Sequence, residues 1–533
     1  MKKIVLVLVF LALVVSCAKR GSPSGGKKDM EAPEIVKSFP ENYSTNFNTK
    51  EIRINFNEYI KLKDLNKQLI VSPPLKYQPT IIPQSGASKQ LKIKILDTLQ
   101  ENTTYSFNFG NSIVDNNEGN PFPFFRYVFS TGTEIDSLQL KGTVKDALNV
   151  DTDSYVSVLL YEIDSTYSDS TVYLKKPRYI TNTLDSATTF QFNNIKKGTY
   201  KLIALKEESD NYVFNQKTDK IGFVETEITL PTSQEYELLL FKEIQNFKPL
   251  KPKHQKKNRI RFRYEGPYHE DISIKLLTDN LPEGYTSIIT KEIETDTLNY
   301  WFKPSVELDS MLFSLKSKKV VDTFKVRMRK KIKADSLYFK KITQSLTVDE
   351  KYEISSSIPI IKIDKQKIQI MNKDSVLVPF KIEQNSFTNT IGFDFDKKEE
   401  DRYKITAYPE AFQDFYGGMN DTLTFKVSTK KLSAYGTIKL ELFNTPKHSL
   451  LVQLVDKNGK IKYEQKGVGK TIFDFQNLNP ATYNLRVVFD VNGNEKYDTG
   501  NYLNKLQPER VSYYPEEIEI RANWDRDYKF TLQ

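Results

Sequence analysis

Apolar and polar residues alternate in short runs along most of this chain. Lys50–Phe56 reads Lys-Glu-Ile-Arg-Ile-Asn-Phe, and Tyr105–Phe109 follows the same period of two. This period is typical of half-buried strands, because successive side chains of a strand point to opposite faces. Comparable runs lie at Tyr155–Tyr161, Glu235–Leu240, Ile260–Tyr264 and Leu450–Val455. Clusters of Asn, Asp, Gly and Pro separate the runs, so the sequence predicts an all-β, multidomain string of antiparallel β-sandwiches.

The N-terminus carries a different pattern. Two lysines precede an apolar run, Ile4–Val15, and Ser16 and Cys17 follow it. A basic start, an apolar stretch too short to span a bilayer and a small residue before the cut predict a signal peptide over residues 1–16. The pentapeptide Leu-Val-Val-Ser-Cys resembles the lipobox of bacterial lipoproteins, and this resemblance implies that Cys17 becomes the lipid-bearing mature N-terminus. Residues 17–30 are poor in apolar side chains and are predicted to form a flexible lipidated tether.

Composition narrows the function classes. The 533 residues carry a formal net charge of +10, and cleavage before Cys17 would remove Lys2 and Lys3 and leave +8. A charge this small for the length gives no indication of nucleic-acid binding. Cys17 is the only cysteine, so an intramolecular disulfide is excluded.

The first domain is predicted over residues 31–133. The residues that mark it are Pro33-Glu34-Ile35-Val36, Phe39-Pro40-Glu41-Asn42, Ser72-Pro73-Pro74, Asn102-Thr103-Thr104-Tyr105 and Phe129-Ser130-Thr131-Gly132. Their order resembles the SbsA-type bacterial Ig-like domain, which is found in lipoproteins of Bacteroidota. Asp115–Asn120 has some features of a metal loop, but a turn between two strands prefers the same residues and is the interpretation we favour.

An internal repeat predicts the remaining organisation. Phe190–Tyr200 (FQFNNIKKGTY) recurs as Phe473–Tyr483 (FDFQNLNPATY), and a Gly-Thr strand start precedes each copy. The pattern resembles the prealbumin-like or carboxypeptidase-regulatory β-sandwich, which implies two such domains, at residues 134–245 and 431–533. A weaker match between Tyr403–Gly417 and Tyr105–Gly119 predicts a second Ig-like domain at 343–430. Residues 246–342 are predicted to be a β-rich domain of unrecognised type.

One loop has the composition of an ion site. Asp490, Asn492, Asn494 and Asp498 place oxygen atoms at alternate positions of a short segment, and Ca²⁺ prefers six to eight oxygen ligands. The spacing resembles calcium loops of dockerins and SdrB-type β-sandwich repeats, although Glu495 stands where an EF-hand has Gly. Two interpretations remain open: a structural calcium site, and a polar hairpin turn held by Asx bonding. No other cofactor is predicted.

A recurring triplet, Asp-(Ser/Thr) followed by Ala, Ile, Leu, Met, Thr or Val, resembles the O-glycosylation sequon of Bacteroidota. The candidate acceptors are Thr98, Ser137, Ser165, Ser170, Ser186, Thr297, Ser310, Ser336, Ser375 and Thr422. The alternative is that Asp-Ser or Asp-Thr ends a turn before the next strand begins. Either interpretation places the triplets at surface turns.

The sequence gives little support for an enzymatic activity. The three histidines, His254, His269 and His448, are scattered, and neither a His-Glu-x-x-His nor a Gly-x-Ser-x-Gly motif occurs. We therefore predict no enzyme activity, no catalytic residues and no small-molecule substrate.

Three functions remain as hypotheses. The first is a non-catalytic scaffold or accessory subunit that binds other envelope proteins, such as those of membrane-protein assembly, because β-modules with exposed edges suit docking by strand addition. The second is a surface adhesin or glycan-binding lipoprotein, and the third is an envelope hydrolase. The membrane is a partner through the N-terminal lipid. Surface-exported lipoproteins of Bacteroidota often carry acidic residues after the lipidated cysteine, whereas Ala18-Lys19-Arg20 follows here, so the periplasmic face of the outer membrane is favoured.

Overall fold

The computed structural model describes residues 29–184, 187–317 and 320–533. Within these ranges nearly all regular structure is β-strand. The exceptions are a short helix, α1 (Leu65–Gln68), and 3₁₀ turns at Asp169–Tyr173, Lys365–Lys367 and Leu432–Ala434. The prediction of an all-β, multidomain chain is confirmed. The signal peptide, Cys17 and Ser186 lie outside the described residues.

The first domain is a sandwich of two antiparallel sheets. Its strands are β1 (Ile35–Phe39), β2 (Glu51–Leu62), β3 (Ile70–Ser72), β4 (Thr80–Ile82), β5 (Ser88–Lys94), β6 (Thr104–Asn108), β7 (Ile113–Asp115) and β8 (Arg126–Ser130). One sheet has the order β1-β2-β5-β4 with β7 paired to β2, and the other has the order β3-β6-β8. Alternate residues of β2, such as Ile52, Ile54 and Phe56, enter the core between the sheets, as the period of two predicts.

The second domain also has two sheets. Its strands are β9 (Leu138–Asp146), β10 (Ser157–Glu162), β11 (Tyr179–Asn182), β12 (Thr189–Ile195), β13 (Gly198–Lys206), β14 (Lys220–Phe223), β15 (Ile228–Leu230) and β16 (Tyr236–Leu240). The orders are β12-β9-β16 and β11-β10-β13-β14, with β15 paired to β13. Strand β13 is buried on both faces: Leu202 belongs to the core between the sheets, while Ile203 and Leu205 belong to a second apolar cluster on the outer face.

The third domain comprises two sheets of order β17-β19-β22-β21, with β18 paired to β19, and β20-β23-β24. The strands are β17 (Lys248–Pro249), β18 (Lys253–Lys256), β19 (Arg259–Glu265), β20 (Ser273–Leu276), β21 (Thr286–Lys291), β22 (Thr297–Lys303), β23 (Ser310–Ser317) and β24 (Val320–Arg327). Phe262, Phe302 and Phe313 are fully buried in its core.

The fourth domain has sheets of order β25-β26-β30-β29, β27-β32 and β28-β31-β33. The strands are β25 (Phe339–Lys341), β26 (Tyr352–Ser356), β27 (Ile360–Ile363), β28 (Ile368–Met371), β29 (Phe380–Asn385), β30 (Thr390–Phe395), β31 (Arg402–Ala407), β32 (Phe412–Asp414) and β33 (Leu423–Ser428). Because β25 pairs with β26, the fourth domain begins before Phe339. The predicted boundary at residues 342/343 was therefore several residues too late.

The fifth domain has sheets of order β37-β34-β41 and β36-β35-β38-β39, with β40 paired to β38. The strands are β34 (Gly436–Phe443), β35 (Ser449–Val455), β36 (Ile461–Val468), β37 (Ile472–Leu478), β38 (Ala481–Asp490), β39 (Val511–Tyr513), β40 (Ile518–Ile520) and β41 (Asp525–Thr531).

The second and fifth domains share one topology, strand for strand. In each, the last strand pairs in parallel with the first, β16 with β9 and β41 with β34. The repeated sequence motif makes the same turn in both copies. Asn194 and Asn477 adopt left-handed φ angles of 58° and 54°, which Asn tolerates better than most residues. Each motif ends in a tyrosine whose hydroxyl donates to the backbone oxygen four residues earlier, Tyr200 to Lys196 at 2.9 Å and Tyr483 to Asn479 at 2.7 Å.

The first, third and fourth domains share a second topology. The strand order β1-β2-β5-β4 of the first domain recurs as β17-β19-β22-β21 and as β25-β26-β30-β29, and β3-β6-β8 recurs as β20-β23-β24 and β28-β31-β33. Strand β2 of the first domain corresponds to β26 and β27 of the fourth, since β7 pairs with β2 as β32 pairs with β27. The third domain, which carries no recognised motif, therefore has the same strand order as the two predicted Ig-like domains.

Gly142 lies in the middle of β9 and not at a strand start as predicted, and its substitution tests why a glycine stands there. An added Cβ would overlap the backbone oxygen of Tyr236 on the parallel strand β16 and lie 2.8 Å from Cζ of Phe190. We expect Gly142→Ala to lower the free energy of unfolding of the second domain by about 1–3 kcal/mol, because the strands must separate to admit the methyl group. The measurement is hydrogen exchange of the β9 and β16 amides.

Gly392→Ala is the matched control, since Gly392 also lies in a strand and an added Cβ would approach no atom closer than 3.8 Å. Equal loss of protection in the two variants would show that the close approach of β16 does not explain the glycine.

Candidate functional site

The fifth domain packs against the second, although the contacting residues are more than 250 positions apart. Thr499 donates to the backbone oxygen of Lys242 at 2.8 Å. Gln507 donates from its side-chain amide to the backbone oxygen of Phe223 at 2.9 Å. Arg486, only 4% exposed, donates from Nη1 to the backbone oxygen of Leu148 at 2.8 Å. The chain thus folds back on itself and closes a loop of four domains.

Tyr502 is the centre of this contact. It lies in the segment between β38 and β39 and is 1% exposed. Its ring packs edge-on against Phe223 with centroids 5.2 Å apart, and its hydroxyl lies 3.1 Å from that of Tyr167. Its backbone N–H donates to Oε1 of Glu243 at 2.6 Å. Burial is the main cause that raises the pKa of the Tyr502 phenol, so this side chain stays neutral.

The outer face of the second domain is shaped to receive this segment. Its apolar surface is formed by Ile203, Leu205, Ile221 and Phe223, and Tyr502 covers this surface. Gly500 permits the approach, because a Cβ there would lie 2.5 Å from Cζ of Phe241. An alternating sequence pattern predicts one polar face, so the apolar outer face marks β10, β13 and β14 as a sheet covered on both sides.

The predicted calcium residues lie at the base of the same segment, and the structure brings all four together. Asp490 is fully buried and accepts from the backbone N–H groups of Asn494 and Glu495, both at 3.0 Å. Asp498 accepts at Oδ2 from the side-chain amides of Asn492, at 2.5 Å, and Asn494, at 2.8 Å.

The carboxylate of Glu509 joins the four predicted side chains at this loop, and the sequence analysis did not identify it. Its carboxylate accepts from the backbone N–H groups of Val491 and Asp498, both at 3.0 Å. Burial, followed by the nearby charges of Asp498 and Asp490, raises the pKa of Glu509. Glu509 follows the predicted loop by eleven residues, and only the antiparallel return into β39 brings it back to the loop.

The carboxylates of this loop accept hydrogen bonds from N–H groups of the protein, as the polar-turn interpretation predicts. Among residues 29–184, 187–317 and 320–533, no group of three or more His, Cys, Asp or Glu side chains has the arrangement of a metal site. A carboxylate also holds the equivalent connection of the second domain, where Glu207 accepts from the backbone N–H groups of Asn211 and Tyr212, both at 2.8 Å. The calcium interpretation stays a prediction.

Most candidate glycosylation residues lie where a glycan has room. The exposed acceptors are Thr98, Ser137, Ser165, Ser170, Ser336, Ser375 and Thr422. Ser310 is half-buried at the start of β23. Thr297 is the first residue of β22 and is 3% exposed, so the expectation that every triplet lies at a surface turn is wrong at this residue. Ser186 is outside the described ranges.

The best-buried histidine has a structural role. His254 is 4% exposed, and its Nδ1 accepts from the backbone N–H of Arg329 at 2.9 Å. Its Nε2 then carries the proton and donates to the backbone oxygen of Lys257 at 3.1 Å. Burial lowers the pKa of His254. With both nitrogens occupied, the ring links β18 to the segment that follows β24 and has no free nitrogen for catalysis.

The third and fourth domains meet through a small apolar cluster of Trp301, Ile358 and Phe415. Tyr416 crosses the same boundary and donates from its hydroxyl to the backbone oxygen of Asn258 at 2.8 Å. The guanidinium of Arg259 lies 4.8 Å from the centre of the Trp301 ring and 2.8 Å from Asp335. This boundary therefore buries charged and aromatic side chains together.

Residues 29–131 match a protein family described as bacterial Ig-like domain. The first domain is a bacterial Ig-like domain. That part of the sequence-based resemblance is confirmed; the lipoprotein and prealbumin-like assignments stay predictions. No curated protein matches the chain.

Solved structures of other multidomain β-proteins align with the chain at low similarity. The S-layer protein rSbsC is 12% identical over 92% of this chain and 67% of its own, with a TM-score of 0.16. The I9–I11 tandem of titin is 11% identical over 54% of this chain and 100% of its own, with a TM-score of 0.13. The T6 backbone pilin of Streptococcus pyogenes is 10% identical over 73% and 81%, with a TM-score of 0.12. Values this low support no conclusion about function.

Among the described residues, no helix is long and apolar enough to cross a membrane.

Tyr502→Ala tests the contact between the second and fifth domains. Removing a fully buried aromatic ring costs about 3–5 kcal/mol, so we expect the fifth domain to detach and the maximum dimension in small-angle X-ray scattering to increase. Leu503→Ala is the control, because Leu503 is adjacent and 53% exposed. An unchanged scattering curve for Tyr502→Ala would contradict the assigned role of this side chain.

Calcium chloride tests the two interpretations of the loop at 490–498. The calcium interpretation predicts that the ion raises the melting temperature of the chain relative to EDTA, because it binds only the folded loop. Asp498→Asn should abolish the increase, whereas Asp527→Asn, at an exposed position of β41, should retain it. Identical melting curves in calcium and in EDTA would leave the polar turn as the correct interpretation.

Proposed function

We propose that this protein is a non-catalytic scaffold of the bacterial cell envelope. In this proposal Cys17 carries the lipid that anchors it to the outer membrane, on the periplasmic face, and its domains bind other envelope proteins. The bacterial Ig-like first domain and the repeated β-sandwiches fit this role, because such modules present edges and faces for docking. The packing of the fifth domain on the second supports it further, since a binding surface built from several domains needs a fixed arrangement.

The observation that carries the proposal is a difference between two equivalent edge strands. In the second domain, edge strand β11 lies against strand β3 of the first domain. The backbone N–H of Ile180 donates to Oγ of Ser72 at 3.0 Å, and Ile70 joins the apolar cluster on the outer face. One Ig-like domain is thus docked on this edge.

The equivalent strand of the fifth domain is β36, at the edge of the order β36-β35-β38-β39. It is eight residues long and pairs only with β35 among the described strands, and none of its residues is buried. Val468 at its end is 72% exposed. An unpaired edge of this length is a template for another strand. We therefore assign β36 as the docking site for a partner's β-domain, by analogy with the use of β11 within the chain.

Site-specific photo-crosslinking in intact cells tests the proposal. A photo-crosslinking amino acid at Lys462 on β36 should form a defined adduct with an envelope protein. The matched control is Lys439, which is also exposed but lies on β34, between β37 and β41. Cys17→Ala should abolish the adduct, because the chain is no longer held at the membrane. If position 462 gives no more adduct than position 439, docking at β36 is excluded.

A further inference from the structure

The third domain carries the positive charge of the chain. Residues 251–263 contain seven Lys and Arg side chains, residues 325–333 contain six, and neither segment contains Asp or Glu. Because the net charge of the whole chain is +10, all the other residues together carry −3. A charge that is small for the length of the sequence is therefore concentrated in one domain.

The fold brings these two segments side by side. The backbone N–H of Arg329 donates to Nδ1 of His254 at 2.9 Å, and the backbone N–H of Lys257 donates to the backbone oxygen of Lys333 at 3.1 Å. The segment that follows β24 thus runs beside β18, so an edge of one sheet lies next to an edge of the other. The exposed cations of this edge are Lys253, Lys257, Arg329, Lys330, Lys331 and Lys333.

The outer face of the sheet β20-β23-β24 continues this charge. Inward residues of its strands, such as Phe313 and Val326, belong to the core, and the alternate residues point outward. Four of the outward residues are exposed cations: Lys275 on β20, Lys316 on β23, and Lys325 and Arg327 on β24. The other outward residues of these three strands are Ser, Thr, Leu and Val, and none is acidic. We call this outer face and the adjoining edge the basic face.

The cations of the basic face are available to a partner. Within the described part of the chain, only Lys330 among them forms an ion pair, with Asp309 at 3.6 Å. The two side chains of that pair are 88% and 91% exposed, and pairs in full contact with water contribute little. The positive potential of the face is therefore not neutralised by the protein itself.

The equivalent face of the first domain has a different composition and packs against protein. Ser72, Ser106 and Asn108 of β3 and β6 lie against Ile180 and its neighbours in the second domain. Arg126 is the one charged residue among the outward positions of β3, β6 and β8. A nearly neutral face thus docks a domain of the same chain, whereas the four outward cations of the third domain require a partner of negative charge.

Two apolar side chains on the basic face indicate which kind of anionic partner fits. Leu312 lies opposite Lys325 and is 38% exposed, and Val321 lies opposite Lys316 and is 66% exposed. At the surface of a bilayer, cations meet the phosphates of the headgroups while apolar side chains enter the boundary with the acyl chains. The phosphate backbone of a nucleic acid offers no such apolar layer. Residues that share one face of a sheet can also contact a planar surface together.

We propose that the basic face of the third domain binds the anionic phospholipid surface of a bilayer. The contact places the sheet β20-β23-β24 against the headgroups and so orients the chain relative to the membrane. This role goes beyond the docking of a partner at β36. It also does not depend on a lipid at Cys17, so the proposed function and the membrane contact can fail separately.

Vesicle sedimentation tests the contact on a chain that begins at Ala18. This chain keeps every described residue and omits the apolar run Ile4–Val15 and Cys17, which could hold it to any bilayer. The vesicles contain phosphatidylcholine alone, or phosphatidylcholine and phosphatidylglycerol in equal parts. We expect the chain to sediment only with the anionic vesicles. This binding should be lost when the salt concentration rises from about 0.1 M to about 1 M, because the Debye length falls from about 10 Å to about 3 Å.

Three results of this experiment would overturn the proposal. The first is no binding to the anionic vesicles, and the second is equal binding to both kinds of vesicle. The third comes from duplex DNA and polyglutamate, added as competitors at a charge concentration equal to that of the lipid. Displacement of the chain from the vesicles by either competitor would assign the face to another class of polyanion.

The triple variant Lys316→Gln, Lys325→Gln, Arg327→Gln locates the contact. Each Lys or Arg beside an anionic surface strengthens binding about fivefold, so we expect the loss of three to weaken it about a hundredfold. The melting temperature should stay that of the parent, because the three side chains are exposed and form no ion pair in the described chain.

The matched control removes the same charge from the equivalent sheet of the fourth domain. It is the triple variant Arg402→Gln, Lys404→Gln, Lys426→Gln, whose positions on β31 and β33 are also exposed. This variant should bind the anionic vesicles nearly as the parent does. If both triple variants weaken binding equally, the total charge of the chain is responsible and the assignment to the basic face is wrong.

Discussion

The insertion of Tyr502 into the outer face of the second domain determines how the whole chain is arranged. Without this contact and the hydrogen bonds that Thr499, Gln507 and Arg486 make beside it, the described domains would be joined only by neighbour-to-neighbour boundaries, and their relative positions would follow from short connections. The ring packs on Phe223, and the backbone N–H is held by the buried carboxylate of Glu243. Apolar burial supplies the driving force, while the hydrogen bond fixes the depth and direction of insertion.

The second and fifth domains, which share one topology, differ at this contact. Both copies have a long connection after the strand that ends the tyrosine motif, and both brace it with a carboxylate that accepts two backbone N–H groups, Glu207 in one and Asp490 in the other. In the second domain this connection folds over its own sheet, where Phe214 joins the outer cluster. In the fifth domain the equivalent connection extends to the second domain. Domains of one topology therefore supply both parts of the contact: the second domain supplies the apolar surface, and the fifth domain supplies the segment that inserts into it.

The sequence predicted what depends on local pattern. Alternation identified the strands and the all-β class, and the repeated Phe-x-Phe motif identified two segments that share one topology. The topology of the third domain was missed, because strand order is set by contacts between distant segments and no motif marks it. Glu509 was missed for the same reason, since eleven residues separate it from Asp498. The burial of Thr297 was also beyond sequence reasoning, because its triplet looks like a turn until strand β22 is paired with β19.

Closure of the chain has a mechanical consequence. A force applied between the first and fifth domains passes from the second domain directly into the fifth, through the aromatic contact around Tyr502 and the hydrogen bonds beside it. The third and fourth domains then form a slack branch that carries no load while this junction holds. Rupture of the junction would place the third and fourth domains under the applied force and lengthen the molecule in one step. While it holds, the contact between the second and fifth domains protects the boundary that contains Trp301 from that force.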